Sequence, residues 1–376
     1  MSIVAIGLIP SLTACGSDSE SSGGSAGSAG SSGAAGNSGS GGSAGAGQGG
    51  AGATGGTSSA GSAGVGAGGA AGGSGSAGQG VGGSAGAPTG TPLFVGVGSW
   101  GYRVATSDGV QTDITQNPET GSDHSPDLLR DVAWGGGAFV AVGGDQNSMV
   151  MRSTDGKTWQ EDLHPSGTQW KGGVAYGGGR WVAVGGVGTV IYSDDGGTVW
   201  QDSSERLPSA GRDIAYGGGQ FVAVGDGGMI ATSSDGTSWT DHTQTGVGLS
   251  GVAYLPAGAW VVTGRNWNGS GFDISCFGSA DGSSWTPCGF NISLIGRPSA
   301  VDGALIVPTD SGYESTTDGT NWTHHDGDIP ELVLQADSVL VGSSNDRLFS
   351  GSSLGSMSQT AMLDRSLRGF CLGYVQ

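Results

Sequence analysis

One phrase recurs along this chain and constrains what it can fold into. Asp131-Val132-Ala133-Trp134-Gly135-Gly136-Gly137-Ala138-Phe139-Val140-Ala141-Val142-Gly143 returns nearly unchanged over residues 173–185 and 213–225, and more loosely from Gly251 to Gly264. Each copy is two short β-branched stretches around a glycine-rich turn, which reads as a β-hairpin. Self-similarity at a fixed period marks a repeat architecture, in which no single unit buries its apolar face alone.

A second motif follows each hairpin. Ser153-Thr154-Asp155-Gly156-Lys157-Thr158-Trp159 is the first copy, and the others centre on Asp195, Asp235, Asp281 and Asp318, each followed by glycine and then by Trp200, Trp239, Trp285 or Trp322. The aspartates are 40, 40, 46 and 37 residues apart, a period that fits four strands per propeller blade. The local chemistry is that of a tight turn. The carboxylate accepts backbone N–H groups two or so residues on, and glycine supplies φ > 0. The tryptophan closes the hairpin with a large apolar contact.

This motif resembles the Asp-box (BNR) repeat of sialidases and non-enzymatic propellers, and similar repeats occur in the photosystem II assembly-factor-like family of bacterial proteins. The resemblance covers residues 93–376 and implies an all-β, seven-bladed β-propeller. Blades start near Val132, Val174, Ile214, Val252, Pro298 and Leu332, the last two reduced to Ala304-Leu305-Ile306-Val307 and Val339-Leu340-Val341-Gly342. Phe94-Val95-Gly96-Val97-Gly98 is a second strand without a first, and Thr106-Ser107-Asp108-Gly109 is its turn. Arg368-Gly369-Phe370-Cys371-Leu372-Gly373 matches the start of an inner strand. The two ends are therefore expected to build the seventh blade together, leaving no free sheet edge.

Before the repeats, residues 16–92 are almost entirely Gly, Ser and Ala, and no charged residue occurs between Glu20 and Arg103. Such a segment buries too little apolar area to offset its ordering entropy and is expected to be a disordered linker, spanning roughly 50 Å. Upstream, the apolar run Ile3–Leu12 leads to Leu12-Thr13-Ala14-Cys15-Gly16. This resembles a bacterial lipobox, which implies a signal peptide over residues 1–15, lipidation of Cys15, and export to a cell-envelope membrane, outer membrane or cell surface. It departs from the pattern in having no Lys or Arg before the apolar run. Contact with the membrane is expected through that lipid alone, and the protein is expected to be a monomer. The net charge of −19 opposes nucleic-acid binding, which needs a basic surface.

The repeat also says which residues belong to the scaffold. Eight of the 11 tryptophans fall in register and are expected in the core; Trp100, Trp170 and Trp267 do not. With strands a to d counted outward from the axis, the a–b turns and Asp boxes share a lower face, and the b–c and d–a loops share an upper face. All three irregular tryptophans fall on the upper face, where they could stack on sugar rings or partner side chains. Arg130, Arg212 and Arg368 recur just before strand a, at the upper mouth of the central channel, where guanidinium groups could bind carboxylates. Surface pairing with Asp131 and Asp213 is the alternative. A glycan or protein ligand on this face is the expected partner.

Cys276 and Cys288 are symmetric about the turn of blade 4, opposed as a non-hydrogen-bonded pair; this suits a disulfide, with two reduced buried thiols as the alternative. Cys371 occupies a slot held elsewhere by Ala133, Ala175, Ala215 and Ala253, a small buried position. No metal or cofactor is expected, since His324 and His325 point to opposite sides of a strand and one Asp per turn lacks the ligand density of a calcium loop. The leading functional reading is a non-catalytic binding module. A glycoside hydrolase of the sialidase type is the second, but the Phe/Tyr-Arg-Ile-Pro motif of those enzymes is absent, and Tyr313 and Glu314, adjacent on one strand, diverge. An assembly or scaffolding factor is the third.

Overall fold

The structure, a computed structural model, describes residues 90–115, 128–145, 147–161, 169–244, 246–255, 257–289 and 296–376. The expected signal segment, Cys15, nearly all of the linker, His124 and His164 lie outside these residues.

Seven antiparallel sheets make up the fold. It is a seven-bladed β-propeller. The inner strands a are Leu129–Gly135, Lys171–Gly177, Gly211–Gly217, Gly251–Leu255, Ser299–Val301, Leu332–Ala336 and Leu367–Val375 for blades 1 to 7. The seventh blade closes as the sequence leads one to expect: strand a, Leu367–Val375, pairs with strand b, Thr91–Gly98, with Val95 opposite Cys371 and Thr91 opposite Val375. Blade 1 departs from four strands. Among the described residues its strand d is a single bridge, Gln160 opposite Arg152.

The Asp boxes are turn clips. Asp155, Asp235, Asp281 and Asp318 each accept two backbone N–H bonds at 2.7–2.9 Å. The preceding Ser or Thr hydroxyl donates to the carboxylate while accepting the glycine N–H, as in Ser153 to Asp155 at 2.9 Å and Gly156 to Ser153 at 2.8 Å. Gly156, Gly236, Gly282 and Gly319 have φ of 71° to 77°, a region where a side chain is strained. The backbone bonds from Ser284 and Ser283 hold the Asp281 carboxyl well below the usual carboxylate range. The remnant at Asp108 makes the same bonds, at 2.8 and 3.0 Å. Of the in-register tryptophans, Trp181, Trp200 and Trp260 are buried. Trp134, Trp159, Trp239, Trp285 and Trp322 are half-buried, each packed against a core cluster.

Blades interlock through a glycine seat. Gly135, Gly177 and Gly217 end strand a after an aromatic residue, and a Cβ on them would lie 2.3, 1.9 and 2.1 Å from Tyr176, Tyr216 and Tyr254 of the next blade. Gly373 gives the same seat to Trp134 across the closing joint, with a Cβ 2.6 Å from the indole. Each seated ring also packs on strand b of its own blade, as in Tyr216 and Phe221 with centroids 4.7 Å apart. Buried Asp131 and Asp213 add a second tie. Their carboxylates accept the N–H of Val174 at 2.8 Å and of Val252 at 3.0 Å, in the following blades. Cys371 is a buried free thiol, and burial pushes it well up from its ordinary pKa.

Cys276 and Cys288 form a disulfide with Cα atoms 5.4 Å apart. They are directly opposed, but the pair is hydrogen-bonded rather than non-hydrogen-bonded: Cys288 N–H donates to the Cys276 carbonyl at 3.0 Å. The ladder alternates from Phe277–Pro287, and Pro287 has no N–H to give, so the bonding position falls one residue further on.

Candidate anion site at the upper mouth

The three repeat-register arginines share a backbone irregularity that the sequence does not announce. The pairing of strands a and b skips one residue in blade 1 between Leu129 and Asp131, in blade 3 between Gly211 and Asp213, and in blade 7 between Leu367 and Gly369. The skipped residues are Arg130, Arg212 and Arg368. A β-bulge leaves its extra residue out of the ladder and re-aims its side chain. Here it turns three guanidinium groups out of the blade pleat at the channel mouth.

They sit close enough to repel one another. Burial, then the charges of Arg368 and Arg212, lower the Arg130 guanidinium to about 10, against a smaller opposing pull from Asp145. The Arg130 and Arg212 guanidinium carbons lie 4.9 and 4.8 Å from the Trp170 ring centroid. Trp170 precedes strand a of blade 2, between the two blades that supply the arginines. Arg130 also donates to the Gly144 carbonyl at 3.2 Å, and Arg212 is bidentate on Asp226 at 2.6 and 2.9 Å. Asp131 and Asp213, the neighbours in sequence, each give carboxylate oxygens to the blade ties. Burial raises Asp213 to about 6, against the pull of Arg297 and two backbone N–H groups.

On the side of blades 4 to 7 the mouth opens into a recess of about 220 Å³, lined in part by Arg265, Arg297, Arg368 and Glu331. Sequence reasoning missed Arg265 and Arg297 because neither occupies the repeat register. Their signal was positional: each adjoins the upper end of a strand, in a chain with only 13 Lys and Arg in all.

Trp100 is not one of the rings over which Arg130 and Arg212 lie. It lies in the b–c turn of blade 7 with Arg365 4.3 Å over its ring. Trp267 is the last residue of strand b of blade 4, Ala259–Trp267, rather than a loop residue, because that hairpin runs on past the blade and places Trp267 opposite Phe272. Buried Glu314 binds His324 Nδ1 at 2.7 Å, while His325 stacks on Tyr313 at 4.5 Å, so both pairs diverge across the strand. Among the described residues no group of three His, Cys, Asp or Glu could hold a metal ion, and no helix is long and apolar enough to cross a membrane.

No protein-family model matches the chain, and no curated protein matches it. Solved structures similar to it include YCF48 from Cyanidioschyzon merolae, at 14% identity over 66% of this chain and 95% of that one, TM-score 0.48. YCF48 bound to D1 peptide is similar at 19% identity over 77% and 95%, TM-score 0.45. The GH74 enzyme of Niastella koreensis is similar at 17% identity over 65% of this chain and 42% of that one, TM-score 0.46. The seven antiparallel sheets, the last completed by both ends of the described chain, place this chain among the β-propellers.

Proposed function

We propose that this propeller is a non-catalytic binding module whose upper mouth receives a carboxylate-rich polypeptide segment. The observation that carries the reading is the convergence of Arg130, Arg212 and Arg368 on bulges, with the Arg130 charge crowded by its neighbours. Guanidinium groups gathered in a sheltered mouth favour an anion that bridges them. Trp170 serves as the plate against which two of them are held, and an indole so engaged offers a sugar ring less open surface. This favours a polypeptide over a glycan. Glycosidase chemistry needs paired acidic groups, and Glu331 is the one acid lining a recess that also holds three arginines. The test is titration calorimetry of the wild-type protein and an Arg130→Gln/Arg368→Gln variant with a poly-glutamate peptide and with oligogalacturonate. Binding that weakens at least tenfold in the variant and falls with salt supports the reading; equal affinity in both proteins refutes it.

The Cys276–Cys288 disulfide supports an exported protein, since such bonds persist in oxidising compartments. With the lipobox-like Leu12–Cys15 segment it favours a tethered, lipid-anchored module at the cell envelope. Palmitate-analogue labelling that persists in Cys15→Ser would exclude that anchor.

A further inference from the structure

Three b–c turns on the upper face share one backbone shape. In blade 3 the turn Asp226–Gly228 puts Gly227 at φ 71°. In blade 2 the turn Gly186–Gly188 puts Val187 there at φ 54°, and in blade 7 the turn Ser99–Gly101 puts Trp100 there at φ 67°. Glycine is the relaxed residue for this position. A β-branched residue at positive φ is an outlier whose strain needs a return. Val187 gives none to the fold, for its side chain is 66% exposed. Gln169, which presents Trp170, is also left-handed, at φ 75°.

The Val187 turn and Gln169 are contiguous with the arginine mouth. Gly186 N–H donates to the Trp170 carbonyl at 3.0 Å. A Cβ on Gly186 would meet the Trp170 indole nitrogen at 3.0 Å, so the ring lies against the turn that carries Val187. Arg206 donates to the Val187 carbonyl at 3.2 Å. An exposed aliphatic knob thus stands on the turn beside Trp170, with Arg206 on its own carbonyl and Arg130 and the Asp226-paired Arg212 over the Trp170 ring. Apolar and cationic groups interleaved in this way complement a strand that interleaves apolar and anionic ones.

We infer that the Val187–Trp170 rim is a docking surface for an acidic polypeptide segment with aliphatic side chains between its carboxylates. The inference rests on the proposed anion-binding mouth and adds to it the class of ligand. Val187 contributes an apolar contact that a purely anionic chain cannot use.

The experiment uses fluorescence polarisation with two labelled peptides, one alternating Glu and Leu and one alternating Glu and Ser, and oligogalacturonate as competitor. The wild-type protein is expected to prefer the Glu-Leu peptide. Val187→Gly, which restores the residue found in blade 3, is expected to weaken that peptide roughly tenfold, as loss of an aliphatic contact does. It should leave the Glu-Ser affinity unchanged and should not lower Tm. Unchanged Glu-Leu affinity in Val187→Gly, no Glu-Leu binding by the wild-type protein, or equal wild-type affinity for the two peptides overturns the inference. Loss of the underlying mouth reading looks different: Arg130→Gln/Arg368→Gln would then leave every probe unaffected.

Discussion

Removing the Cys276–Cys288 bridge with a Cys276→Ala/Cys288→Ala variant tests how much of blade 4 depends on it. The two residues are 12 apart, and closing a loop of that length lowers the entropy of the unfolded chain by an amount worth about 3 kcal/mol. Strand d of this blade is only Thr286–Pro287, and Pro287 donates nothing, so the bridge is a main attachment of the outer edge. Unfolding entropy of about 2.1 cal/mol/K per residue over residues 90–376 sums to roughly 0.6 kcal/mol/K, which converts the loss to a Tm drop of about 5 °C. Scanning calorimetry on the variant, and on the wild-type protein with reductant, should agree, because the remaining cysteine of the propeller, Cys371, is buried and unpaired. A Tm within 1 °C of wild type in both would refute the loop-closure reasoning.

Other outcomes follow from the joints and the mouth. Gly177→Ala puts a methyl 1.9 Å from Tyr216 and should cost about 1–3 kcal/mol by overpacking, read by urea unfolding; the control Gly179→Ala meets nothing within 4 Å but has φ 85° and should cost less. Asp213, raised to about 6 by burial, binds its proton more tightly folded than unfolded, where it titrates near 3.9. Its contribution is therefore fully present below about pH 4 and lost as pH rises towards 6, so Asp213→Asn should flatten the wild-type decline of Tm in that window; an unchanged slope would assign the decline elsewhere. Trp170→Ala should weaken poly-glutamate binding through loosened arginines while Trp170→Phe largely retains it, as titration calorimetry can show.

Much of the architecture was legible because one residue type at one spacing encodes it. Asp-Gly turns fixed the period, and the match between Arg368–Gly373 and Arg130–Gly135 fixed the closing blade. The position of the three mouth arginines followed from the same register. What the register could not carry is anything set by an inserted residue or by a neighbour's shape. The bulges under Arg130, Arg212 and Arg368 alter no motif, and Arg265 and Arg297 come from an extended hairpin and a loop outside the repeat. That Gly135 and Gly177 are seats for the next blade's ring, rather than turn residues, depends on an inter-blade distance. The hydrogen-bonded setting of the disulfide turned on Pro287, whose missing N–H shifts the ladder by one position.

The closing blade also sets an order of events in time. Strand a of blade 7, Leu367–Val375, is the last of the described strands to be synthesised, yet it stands at the axis beside Thr91–Gly98, the first of them. Until it emerges, the ring has two open flanks: the Thr91–Gly98 strand and the Asp131 side of blade 1, where Gly369 later packs against Asp131. Six blades can form along the way, but the glycine seat for Trp134 arrives only with Gly373. Ring closure therefore waits on Leu367–Val375, and a chain stopped before that strand would present two sticky faces to whatever it met next.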